Sequence, residues 1–188
     1  TQQITKAMEM VAAAKLRRAQ SRLAQARPYA EKAEEILKNL AGAAADSSHP
    51  LLEVRPVKKT VLVAIASDRG LCGSYNANVI RAAEAELREH AKLGREYSLV
   101  TVGRKAEGYF RYRNYDIHAS FGGFSDAPGY EDARAVARSV SDRFIAGEID
   151  LVQIVYTRFA SAGLQEVVVR PLMPLDTDDF AADESSTP

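Results

Sequence analysis

The chain has 188 residues, 46% of them hydrophobic, with 25 basic and 25 acidic side chains and a single cysteine, Cys72. It can bury one ordinary core and still carry an extended element, its balanced charge gives no sign of nucleic acid or an acidic substrate, and one thiol excludes a disulfide framework and a paired-cysteine metal motif. No apolar run approaches the roughly 18 residues of a spanning helix, so any membrane association would come through partners.

From about Gln3 to Ala44 the sequence is dense in Ala, Leu, Lys, Arg, Gln and Glu, with one proline and no glycine before Gly42, which predicts one long helix. Ala12, Leu16, Ala19, Leu23, Ala26, Ala30, Ala33, Leu37, Leu40 and Ala44 recur in alternating steps of four and three, the seam of a coiled coil. Ile4, Met8 and Val11 continue a stripe slightly out of that register. Such a helix, roughly 63 Å long at 1.5 Å per residue, is longer than a compact domain needs and should project. Pro28 removes one backbone donor, so a bend or local defect is expected there. Residues 1–45 hold eight bases against four acids, and the remainder 17 against 21. The chain opens at Thr1 inside this pattern and is expected to be a fragment.

A connector over 46–58 precedes alternating strands and helices. Thr60 to Ser67 is a continuous apolar run of the kind buried on both faces of a parallel sheet. Helices are expected over 76–93, 105–112 and 130–146, and strands over 97–103, 115–121, 149–159 and 165–172, the last at an edge. This order predicts an α/β domain over 59–175, doubly wound and Rossmann-like. An acidic tail over 176–188 is expected to be flexible.

The sharpest local motif is the loop from Ser67 through Asp68, Arg69, Gly70, Leu71, Cys72 and Gly73 to Ser74, at the carboxyl end of the first strand, where open α/β sheets place ligands. It has neither the dinucleotide fingerprint nor a Lys for a terminal phosphate. Three readings stand: a nucleotide site of an α/β enzyme, a tight turn whose glycines supply unusual backbone angles, or a protein contact in which Arg69 offers its planar fork to carboxylates. The last is preferred. Cys72 reads as small-residue filler, and His49, His90 and His118 are too scattered for a metal site. Lys15, Arg17, Arg18, Arg22 and Arg27 ahead of heptads suggest a basic zipper, but an alanine seam joined to an α/β domain argues against DNA binding.

The segment from Gln3 through Ile4, Thr5, Lys6, Ala7, Met8, Glu9, Met10 and Val11 to Leu16 resembles the N-terminal helix of the ATP synthase gamma family, and Ser67 to Gly73 resembles the turn after the first strand of that family's α/β domain. Both occur in the right order, with His49-Pro50 between them. The resemblance implies a non-catalytic central shaft coupling rotation to conformational change in the beta subunits, with no cofactor of its own. It implies that a more extended N-terminus and a long C-terminal helix, the partner of the alanine seam, are missing. It also implies contact of Lys6, Met8, Glu9, Asp68 and Arg69 with the alpha3beta3 ring, further partners in the epsilon subunit and the c-subunit ring, no nucleic acid, and a peripheral place on the cytoplasmic face of a bacterial plasma membrane without insertion. The paired-cysteine insertion of the chloroplast form is lacking, so thiol regulation is not expected.

Overall fold

A computed structural model describes residues 2–43, 49–161 and 163–175. It divides into two units, one containing the N-terminal helix and the other the α/β fold from Ser48 onward.

In the first unit, α1 spans Gln2–Ala43 as a single helix of 42 residues that continues through Pro28. Strong helix formers on either side hold the helix across the missing donor. Its apolar stripe faces solvent: Leu16 and Leu23 are each 45% exposed, as are Ile4, Met8 and Val11 to a still greater degree. Ala12, Ala19, Ala26 and Ala30 are exposed too, and Ala33 is half-buried. The side chains of Leu37 and Leu40, and Ala44 altogether, lie outside the described residues, as does the tail over 176–188.

In the second unit, β1 (Lys59–Ile65), α2 (Tyr75–Lys92), β2 (Glu96–Val102), α3 (Arg104–Tyr112), β3 (Ile117–Phe121), α4 (Tyr130–Ile145), β4 (Leu151–Phe159) and β5 (Gln165–Met173) follow in order. The strands form one sheet in the order β3-β2-β1-β4-β5. The first four are parallel, and β5 returns antiparallel along β4 at the edge. β1 is central, and its side chains alternate between two cores. Leu62 and Ala64 pack with Val79, Ala83 and Leu87 of α2 and with Ala106 and Phe110 of α3. Val61 and Val63 pack with Val140 and Phe144 of α4. Burial on both faces is why this strand reads as an unbroken apolar run rather than an alternating one.

Two strands start later than the sequence pattern predicts. β3 begins at Ile117 because Asn114 takes a positive φ of 57° and Tyr115 turns inward, its ring edge-on to Phe110 at 5.1 Å and its hydroxyl donating to Glu84. β4 begins at Leu151 because the Asp150 carboxylate accepts the backbone N–H groups of Lys58 and Lys59, each at 2.9 Å. Partial burial of Asp150 works to raise its pKa, but those two N–H groups, with Arg55 and Lys58 nearby, leave it lowered. Residues 49–58, read from sequence as part of a connector, fold with the α/β unit and include a 3-10 turn at Pro50–Leu52. Among the described residues no helix is long and apolar enough to cross a membrane.

Candidate functional site

The carboxyl edge of the sheet gathers three loops, those after β1, β2 and β3. β1 and β2 end in register, with Ile65 opposite Val102, and the chains then cross closely. Gly103 has φ 96°, and a Cβ there would lie 2.3 Å from the carbonyl oxygen of Ala66, so only glycine fits without displacing backbone.

Asp68 joins the three loops. One carboxylate oxygen accepts the N–H of Arg104 at 3.0 Å, at the start of α3. The other accepts the N–H of Gly123 at 2.9 Å, the N–H of Ser125 at 3.0 Å and the Ser125 hydroxyl at 2.6 Å. The Ser125 hydroxyl oxygen in turn accepts the Asp68 N–H. Partial burial pushes the carboxyl upward, but the hydrogen bonds from the Ser125 hydroxyl and from the Gly123, Ser125 and Arg104 amides outweigh it and hold Asp68 well below the usual carboxylate range. The sequence reading placed Asp68 among partner contacts; in the structure its carboxylate faces its own loops. The geometry also bears on the nucleotide reading. A helix N-terminus with adjacent loop amides is the donor set a phosphate would use, and here an internal anion already uses it.

Asn76, in the first turn of α2, closes the other side of the motif and was missed from sequence. Its side-chain oxygen accepts the Ser67 N–H at 2.9 Å, and its amide donates to the Arg69 carbonyl at 3.2 Å and contacts the Cys72 sulfur at 3.1 Å. The Ser67 hydroxyl also donates to the Arg69 carbonyl. Ser125 was missed as well. A polar residue in the first turn of a helix after a glycine loop was the available signal for Asn76; Ser125, 57 positions from Asp68, carried none.

With the loop fixed from below, its tip projects. Leu71 is 97% exposed and takes φ 60°, an unusual conformation for a branched residue. Gly73, at φ 58°, follows it, and Gly70 lies against the Lys105 side chain. The Cys72 thiol is exposed rather than packed as filler. Arg69 keeps its side chain 75% exposed and pairs with Asp126 at 3.0 Å. An ion pair this open contributes about 1 kcal/mol at most, so a carboxylate from another chain can replace Asp126 at little cost.

The turn residues Asp68 to Gly73 thus form one cluster, whereas Lys6, Met8 and Glu9 lie exposed on the first turns of α1, in the other unit. Among the described residues no group of three His, Cys, Asp or Glu side chains could hold a metal ion. His90 is buried, with its Nε2 2.5 Å from the Gln153 side-chain oxygen and its Nδ1 3.4 Å from Arg95, and serves the core.

A family model described as ATP synthase matches residues 1–188. The ATP synthase gamma chain of Desulforamulus reducens is 46% identical over 177 residues, covering 94% of this chain and 61% of the relative. That of Acidithiobacillus ferrooxidans is 42% identical over 184 residues, covering 98% and 64%. This chain therefore spans a little under two thirds of the length of these curated relatives. A chain from the central stalk and c-ring of the Tetrahymena thermophila mitochondrial ATP synthase superposes with a TM-score of 0.70 at 31% identity, covering 91% of this chain and 72% of that one.

Proposed function

The chain belongs to the ATP synthase gamma-chain family, and from that premise we propose that it is the central rotor shaft of a proton-driven rotary ATP synthase, with no active site or cofactor of its own. In this reading α1 is one strand of a coiled coil whose seam, Ala12 to Leu40, is closed by a C-terminal helix of the same subunit. The α/β unit, doubly wound and Rossmann-like, rests against the epsilon subunit and the c-ring. Lys6, Met8, Glu9 and Arg69 meet loops of the alpha3beta3 ring, Asp68 holds the turn that presents Arg69 and Leu71, and the chemistry belongs to the beta subunits. In the same reading the chain is peripheral at the cytoplasmic face of a bacterial plasma membrane and away from nucleic acid.

The observation that carries this reading is the solvent-facing apolar stripe of α1, regular from Ala12 to Ala30, about five turns, in a chain of this family. A helix with such a stripe gains its stability from what covers it. An asymmetric shaft can act on three catalytic sites only by binding their conformations differently, so each angle of rotation favours a different site. The fork of Arg69, held in solvent by a weak pair, is suited to exchange carboxylate partners as the angle changes.

Reconstitution tests it. The chain is combined with an alpha3beta3 ring, with and without a supplied gamma-type C-terminal helix, and ATP hydrolysis is measured. Stimulated turnover that requires the helix is the expected result; no association in either form would overturn the rotor assignment. Titration with ATP addresses the enzyme alternative: saturable micromolar binding to the isolated chain, lost in Gly70→Val, would reinstate it, and none is expected.

A further inference from the structure

The covalent path from the α/β unit to α1 runs through residues 44–58, and its second part is strapped down. His49 caps the 3-10 turn, its Nδ1 accepting the Leu51 N–H, and Leu51 packs against the core beneath α4. The Leu51 carbonyl accepts the N–H of Leu175 at 2.7 Å, just beyond β5. Arg55 fixes the middle. One of its nitrogens donates to the Phe144 carbonyl at 3.0 Å and the Ile149 carbonyl at 3.4 Å, another bonds Glu53 at 2.9 Å, and the guanidinium lies 4.7 Å over the Phe144 ring. Only 16% of its side chain is exposed. The far end is held by Asp150 through the Lys58 and Lys59 amides.

We propose that residues 49–58 are the torque-bearing junction of the rotor, with Arg55 as the positioning residue that keeps the junction short. This rests on the rotor reading above. A free linker behaves as an entropic spring whose reach grows with the number of unpinned residues, and rotation taken up as slack does not reach the sites that must be biased. Three separate anchors, at Leu51, Arg55 and Lys58–Lys59, pin the strap along its described length. Arg55 ties the strap to the last turn of α4 at the Phe144 carbonyl, which also accepts the Gly147 N–H, and its planar fork reaches two carbonyls and an aromatic face at once, which a lysine cannot do.

The test uses the full-length subunit assembled in the complete enzyme in sealed vesicles, with proton transport and ATP hydrolysis measured on the same preparation and thermal stability followed beside them. Arg55→Ala is expected to lower the transport-to-hydrolysis ratio several-fold while hydrolysis continues, with Arg55→Lys in between. An unchanged ratio overturns the proposal, and so does a proportional fall of both activities, the mark of a merely structural residue. Should Arg55→Ala fail to assemble, Asp150→Asn, which loosens the far end and keeps Arg55, decides by the same ratio. A wild-type chain that supports no coupled transport would instead overturn the rotor reading itself.

Discussion

The two units use apolar residues in opposite ways. In the α/β unit Leu62, Val79, Leu99, Phe110 and Phe144 are wholly buried, and each face of β1 has its own cluster. In α1 the stripe's Leu16 and Leu23 stay nearly half exposed. One unit buries its apolar residues within its own chain, and the other leaves the described part of its apolar stripe open to solvent. Regular secondary structure is therefore no measure of finished tertiary structure. Stability and partner affinity should respond to different sets of substitutions.

Four substitutions grade that contrast. Phe110→Ala removes a ring packed between Tyr109 and Tyr115 and should lower the unfolding free energy of the α/β unit by about 3–5 kcal/mol, read from urea unfolding. Gly103→Ala should cost about 3 kcal/mol in the same assay, because the added methyl meets the Ala66 carbonyl and the backbone must shift. Asp68→Asn should cost about 1–2 kcal/mol, a figure reduced for the solvent-open site, since one acceptor oxygen becomes a donor facing N–H groups. It carries a pH signature. The folded carboxyl has a lowered pKa, so its contribution is complete above the ordinary carboxylate range and fades as pH falls below about 4. The wild type should lose stability over that interval and the Asn variant should lose less, by urea midpoints at a series of pH values. Smallest of all on this chain, Leu23→Ala should change stability by less than about 0.5 kcal/mol yet weaken binding of a supplied partner helix, measured by calorimetry. A large loss of stability there would show that α1 is already covered by its own chain.

What was legible in the sequence followed periodicity. The heptad spacing of α1 and the apolar run of β1 are local patterns, and each unit's elements came out within a few residues of their observed ends. The turn at Ser67 to Gly73 was placed correctly at the carboxyl edge of β1 because strand-to-helix loops of α/β sheets lie there. The role of Asp68 was not legible. Its donors sit on Arg104, Gly123 and Ser125, separated in sequence and joined only when β1, β2 and β3 align. Arg55 and Asp150 were hidden for the same reason, since what they bind is backbone at the end of α4 and the start of β1, and backbone acceptors and donors leave no mark in a sequence. Tyr115 looked like strand because aromatic residues favour strands; burial against Phe110 prevailed.

The hydrogen bond between the Leu175 amide and the Leu51 carbonyl has a consequence for modularity. The first and last described stretches of the α/β unit are neighbours, the arrangement that tolerates insertion and circular permutation. A short bridge between Leu51 and Leu175 would close this unit on itself, and new ends could be opened in one of its exposed loops.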